Sequence, residues 1–150
     1  MTVAETNPRR CFQIEKDITI GTYDIDFAGH VSNLVYLRWM EDMRLAVFEK
    51  HFPLKGFVDA GLLPVIASTK IEYKRAIRLF DRPKGYMSII EVRPASVVFE
   101  GEVRVDGHVA TVATHVGAFI RQDNHRPVRV PKVILEKFEL ERAGCASQRM

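Results

Sequence analysis

The sequence predicts an α+β domain in which one long apolar helix lies against a curved antiparallel sheet of about five strands. Three observations lead there. Residues 33–52 place apolar side chains around most of a helical circumference, so that helix must be covered on most sides. From residue 64 onward the apolar period changes from helical to two. Near the end, Asp106-Gly107 joins two alternating runs, and the readiness of both residues to take positive φ makes a tight hairpin.

Taken in order, the first element is a strand within Phe12 to Thr22, where Ile14, Ile18 and Ile20 recur at even steps among charged residues. A turn-rich segment follows, Tyr23 to Ser32, with two aspartates and Gly29. The long helix then starts at Asn33 and is stopped by Pro53; Tyr36, Trp39, Met40, Met43, Ala46, Val47 and Phe48 make it apolar, and Arg38, Glu41, Asp42, Arg44, Glu49 and Lys50 leave it a narrow polar strip. Lys55 to Leu63 reads as a loop. Between Ala67 and Ile77, Ala67, Thr69, Ile71, Tyr73 and Ile77 alternate with polar residues as a strand with one buried face, on which Arg75 is an isolated charge. Tyr86 to Arg93 is a further strand, ended by Pro94. Val97 to Val105 and His108 to Ile120 are the hairpin strands; simple pairing about the turn puts Phe99, Gly101, Val103 and Val105 on the side of Thr114, Val112, Ala110 and His108.

At 150 residues there is material for one core. We expect a flexible N-terminus at 1–10, a folded domain at 11–138 and a flexible polar tail at 139–150. With 47% apolar and 27% charged residues the balance is that of a globular protein in water, and no run is apolar and long enough for a signal peptide or a membrane span, so a cytoplasmic location is expected. The net charge of +3 is not concentrated in a basic run interleaved with aromatics, which argues against nucleic acid. Cys11 and Cys145 have no metal-ligand spacing and read as free thiols; His108 and His115 have no partners that would make a metal site, and none is expected.

The segment Thr22 to Arg44, TYDIDFAGHVSNLVYLRWMEDMR, holds the chemistry. It sets two carboxylates, a glycine and a histidine just before a helix start, where unpaired N–H groups and a partial positive charge can stabilise the oxyanion of an attacked carbonyl. Asp26 can attack directly or activate a water, and a thioester, whose thiolate leaves without a strong acid, suits both routes. Ser32 and Asn33 are also good helix N-caps, and Glu41 belongs with the helix's ion-pairing face.

This stretch resembles the signature of hotdog-fold acyl-thioester hydrolases of the 4-hydroxybenzoyl-CoA and long-chain acyl-CoA thioesterase type: an Asp-x-Asp-x-x-Gly turn, then a helix with Tyr, Trp, Glu and Arg at matching positions. Ile71-Glu72-Tyr73-Lys74-Arg75 resembles the family's second-strand pattern and Arg126-Pro127-Val128-Arg129-Val130-Pro131 its closing segment. The resemblance implies a single hotdog domain with Asp26 as catalytic carboxylate, the backbone N–H at Asn33 as oxyanion donor and His30 beside them. Gly29, Val31, Tyr36, Thr69, Tyr73 and Arg75 become candidates for substrate binding, while Asp24 stays structural. Ser32 departs from the asparagine commonest at its position. The implied substrate is an acyl or aroyl thioester of coenzyme A or of an acyl-carrier protein, with no cofactor beyond the coenzyme A of the substrate. The implied assembly is a homodimer or homotetramer with sites at subunit boundaries. A hotdog protein that binds an acyl ligand without hydrolysing it is the non-enzymatic alternative.

Overall fold

The computed structural model describes residues 10–147. Strand β1 (Cys11–Asp17) leads through a short 3-10 turn (Thr22–Asp24) into helix α1 (Asn33–His51) and a small helix α2 (Leu54–Asp59). Strands β2 (Leu62–Tyr73), β3 (Lys84–Val92), β4 (Val97–Val105), β5 (His108–Arg121) and the two-residue β6 (Pro127–Val128) follow, and helix α3 (Lys132–Ser147) ends the described chain. All pairings are antiparallel, in the order β1-β3-β4-β5-β2 with β6 also on β5. This is the hotdog plan, one long helix laid on an open antiparallel sheet.

Helix α1 meets the sheet through Met40, Met43 and Val47, all without solvent exposure, and packs on β1, β3 and β4. Its close approach depends on glycine: a Cβ at Gly101 would stand 2.6 Å from the Met40 sulfur, and one at Gly85 would collide with Met43. Asp106 and Gly107 have φ of 50° and 76°, the double positive pair of the expected hairpin turn.

Four expectations change. Residues 54–59 are helical rather than loop because Phe57 docks against Phe48 and Phe119, and that burial outweighs Gly56 in the turn. The second sheet strand ends at Tyr73, so Arg75 lies beyond it, exposed, with no apolar face to interrupt. In the hairpin, Val103 pairs with Thr111 but Arg104 with Val109, so Ala110 is a bulge. From there on the faces differ from simple alternation: Phe99 stands opposite His115 and Gly101 opposite Ala113, leaving Thr114 and Val112 with Glu100 and Glu102. Lastly, α3 runs through the expected boundary at residue 138, burying Ile134 and Phe138, and its Glu141 accepts the Phe12 N–H at 3.3 Å.

Arg10, placed by the sequence in a loose N-terminus, instead joins an ion-pair network on β4; residues 1–9 and 148–150 of the expected tails lie outside the described residues. Glu102 accepts from Arg10 at 2.5 Å and from Arg104 at 2.7 Å, and all three side chains are about nine-tenths buried. Glu102→Ala would leave two guanidiniums short of an acceptor in poorly hydrated surroundings, although Arg10 keeps Glu100. We expect a loss of about 2–3 kcal/mol in urea unfolding, below the 3–5 kcal/mol of a fully broken buried pair. A change under half a kcal/mol would show the network to be solvent-compensated.

Candidate active site

The Asp26 turn is built by its own backbone. Ile25 bridges Val31, the Asp26 N–H donates to the His30 carbonyl at 2.8 Å, and the Gly29 N–H returns to the Asp26 carbonyl at 3.0 Å. Gly29 has φ of 81°, a conformation that L side chains resist, which is why the turn needs a glycine there. Within it Asp26 Oδ1 accepts from the N–H groups of Ala28, at 2.9 Å, and His30, at 3.3 Å. Its Oδ2 has no partner among the described residues. One oxygen therefore fixes the carboxylate and the other is available for chemistry.

Asp24 does what the sequence assigned to it. It is buried, its Oδ2 accepts the Gly21 N–H at 2.8 Å, and its carbonyl accepts the Ser32 N–H at 2.9 Å. The last bond holds the N-cap of α1 against the turn. Ser32 caps through backbone conformation, φ −62° and ψ 141°, with no side-chain hydrogen bond. The Asn33 N–H, the first of the helix, donates to no acceptor among the described residues. It is one of the unpaired donors that make a helix start electropositive.

Across from this helix start, the Val31 N–H donates to the Ile77 carbonyl at 2.8 Å and the Tyr73 hydroxyl to the Asn33 carbonyl at 3.2 Å. The N–H groups of Lys74 and Arg75 both donate to the carbonyl of the bulged Ala110, which turns the chain from β2 back toward the helix. The result is a cleft of about 220 Å³ lined by Asp26, His30, Val31 and Asn33 on one side and Tyr36, Tyr73, Lys74, Arg75 and Ala76 on the other. Burial raises the pKa of the Tyr36 phenol; the Thr111 hydroxyl and the Ile77 backbone oppose the shift, and the negative charge of Asp26 adds to it. Burial likewise raises Tyr73. Both phenols hold their protons at neutral pH and serve as neutral donors and apolar walls, stacked edge to face with centroids 5.1 Å apart.

Seven of the nine expected residues thus line one cleft. Gly29 shapes the turn without lining it, and Thr69 lies elsewhere, further along β2, where its hydroxyl is 3.0 Å from His115 Nδ1. The sequence assigned no site role to His115, Arg44 or Lys74. His115 has no solvent exposure, and its Nε2 has no partner among the described residues. Burial, helped by the charge of Arg44, lowers its pKa to about 4. Since that lies below the 6.5 of a free imidazole, the unfolded chain binds the extra proton first. Stability from a neutral His115 is present above pH 6.5 and is lost as pH falls toward 4. We expect the free energy of urea unfolding to drop across that window, by on the order of 3 kcal/mol in total, and the drop to shrink in His115→Phe. An equal slope in both proteins would assign it to other groups.

Among the described residues no group of three or more His, Cys, Asp and Glu is placed to hold a metal ion, and no helix is long and apolar enough to cross a membrane. The family profile described as the Thioesterase-like superfamily matches residues 20–138, a span that takes in the Asp26 turn, α1 and the whole cleft. The chain belongs to the thioesterase-like superfamily. It is accordingly a thioester hydrolase.

Solved structures agree on the fold. The DHNA-CoA thioesterase of Staphylococcus aureus superposes with a TM-score of 0.80 at 17% identity, covering 92% of this chain and 95% of its own. A thioesterase from Thermus thermophilus, solved with coenzyme A and zinc, gives 0.73 at 24% identity, covering 86% and 93%. The probable thioesterase YbaW of Escherichia coli gives 0.76 at 19% identity, covering 85% and 97%. No curated protein sequence matches this one.

Proposed function

We propose that this superfamily member is an acyl-CoA thioesterase acting in the cytoplasm, releasing a free acid and coenzyme A, with Asp26 as the catalytic carboxylate. The observation that carries the reading is the single cleft at the start of α1, in which a carboxylate with one uncommitted oxygen and an unpaired helix N–H stand together. The substrate carbonyl oxygen takes a hydrogen bond from the Asn33 N–H, strengthened by the helix dipole as negative charge develops. Asp26 Oδ2 attacks the carbonyl carbon to give a mixed anhydride, which a water then hydrolyses to the free acid and the free carboxylate, or it takes a proton from the water that attacks the thioester; in either route the C–S bond breaks and the thiolate leaves. His30 and Tyr36 complete the polar lining and Val31 and Tyr73 the apolar one.

Lys74 and Arg75 at the rim favour a substrate with anionic groups beyond the thioester. Coenzyme A supplies phosphates there, and the Thermus relative was solved with that molecule bound. An acyl-carrier protein presents the same pantetheine arm and is the second substrate class to test. For assembly, β2 is an edge strand of twelve residues with Ile66 and Tyr73 exposed, and pairing with a second copy would satisfy its free backbone edge.

Thiol release from short, medium, long and aromatic acyl-CoA thioesters tests the reading. We expect turnover of at least one class. No release by folded, assembled protein from any CoA thioester, repeated with acyl-carrier-protein thioesters, would leave the ligand-binding alternative in its place.

A further inference from the structure

Phe27, Phe80 and Tyr23 are the three most exposed large apolar side chains among the described residues, with 105%, 92% and 85% of their reference surface open to solvent. Apolar residues scattered singly over a surface need no explanation. These three are grouped. Phe27 stands at the tip of the turn closed by the Gly29 N–H on the Asp26 carbonyl, and Phe80 at the tip of a second turn, closed by the Asp81 N–H on the Arg78 carbonyl at 3.1 Å. Each turn is pinned by its aspartate: Asp26 Oδ1 accepts the Ala28 N–H, and Asp81 Oδ2 accepts the Arg78 N–H at 2.8 Å. The bond from the Val31 N–H to the Ile77 carbonyl ties the two loops together just after the first turn and just before the second. Tyr23 lies in the 3-10 turn that leads into the first. The same two loops supply the two walls of the Asp26 cleft, so the rings are held out into water at the end of the molecule where that cleft opens.

Cations accompany the rings. Lys74, Arg75, Arg78 and Arg82 fall within nine residues whose only acid is Asp81, and that acid is committed to the Arg78 N–H. All four are exposed, and none has an ion pair among the described residues. This surface extends away from the strand edge offered to a second copy. Lys74 and Arg75 follow β2, but the chain then crosses to the other side of the sheet. There the Pro83 carbonyl accepts the Ile18 N–H at 3.0 Å, and Lys84 pairs with Asp17 of β1, the opposite edge strand. Phe80 and Arg82 therefore lie toward β1.

We propose that this end of the protein docks on an anionic lipid bilayer, with Phe27 and Phe80 entering the interfacial layer, Tyr23 at the headgroups and the four cations on lipid phosphates. A bilayer interface accepts rings and cations together: an aromatic body leaves water there while a phenol stays wet, and the negative leaflet favours each nearby Lys or Arg by about fivefold. Four cations then contribute on the order of several hundredfold, which makes docking sensitive to salt. An acidic protein partner would answer the cations. The rings favour the bilayer, because each inserts on its own without a matching pocket opposite. Docking does not depend on hydrolysis; where the thioesterase reading holds, it turns the cleft toward the leaflet, so that an acyl thioester whose chain lies among the lipids enters without crossing bulk water.

The test is co-sedimentation with vesicles of phosphatidylcholine alone and of an equal mixture of phosphatidylcholine and phosphatidylglycerol. Wild type should partition onto the mixed vesicles at least about tenfold more strongly, and the preference should fall as salt is raised. Arg78→Gln with Arg82→Gln, and separately Phe27→Ser with Phe80→Ser, should each weaken partitioning by about tenfold with the melting temperature unchanged, since all four side chains are exposed. Phe80→Trp reads the contact directly. Its emission should shift to the blue on mixed vesicles, over a constant background from the buried Trp39. No binding by wild type, binding that survives both double substitutions, or bound protein without the shift overturns the proposal. Binding of a purified acyl-carrier protein that Arg78→Gln with Arg82→Gln abolishes, with no vesicle binding, replaces the bilayer by an acidic protein. Loss of oligomer in Phe27→Ser with Phe80→Ser by light scattering, again with no vesicle binding, makes the rings a subunit contact. Because partitioning is measured without substrate, a failure of thioester hydrolysis leaves this result standing by itself.

Discussion

Asp26→Asn is expected to lower kcat by at least about a hundredfold while leaving KM and folding nearly unchanged. The reason lies in how the turn uses its two oxygens. Oδ1 accepts from Ala28 and His30, and an asparagine carbonyl oxygen can accept the same two bonds. Oδ2 has no partner among the described residues, and the amide nitrogen that replaces it is neither a nucleophile nor a base at neutral pH. The substitution therefore separates the chemical role of the carboxylate from its structural one, which Asp26→Ala would remove together. A half-exposed turn position that keeps its bonds should change stability by less than about half a kcal/mol. Steady-state thiol release, with a thermal melt of the same sample, reads both quantities. A variant retaining a third of the wild-type rate would remove Asp26 from the mechanism, and a rate loss accompanied by a collapsed melt would make the residue architectural.

The turn that carries Asp26 and its place before the helix start were legible in the sequence because their determinants are local. Asp24, Asp26, Gly29 and Asn33 lie within ten residues, and turn chemistry plus a helix start fix their relation before any tertiary contact forms. Long-range register was less legible. The bulge at Ala110 has no composition signal, since alanine needs no special backbone angle, yet it moves His115 onto the inner face opposite Phe99. It also offers Ala110's carbonyl to Lys74 and Arg75, which ends β2 and delivers those cations to the cleft. Strict alternation through residue 77 hid both effects. Thr69 is a related case: the register shift between Ile66 and Ser68 and the length of β2 put it in a separate groove between α1 and β2 rather than in the cleft of its own chain. Helix α2 was missed because six residues containing Gly56 have little propensity of their own, and only the contacts of Phe57 make them a helix.

Asn33→Pro gives the other large expected effect, a fall in kcat of about a hundredfold to a thousandfold, the range for removing one oxyanion donor. Proline is usually avoided in a helix, but Asn33 is its first residue, where the N–H bonds nothing within the helix and a fixed φ suits the turn. Proline also asks the residue before it to be extended, and Ser32 already is, with ψ of 141°. The substitution thus deletes one backbone N–H and little else of the fold, apart from the asparagine side chain. Asn33→Ala controls for that loss, since it keeps the N–H. If the backbone donor stabilises the oxyanion, alanine should stay within a fewfold of wild type while proline loses rate with helicity and melting temperature preserved. If both variants fall together, the side-chain amide does the work. If neither falls, the oxyanion lies elsewhere in the cleft, and the Tyr36 hydroxyl, held neutral by burial, becomes the donor to remove next.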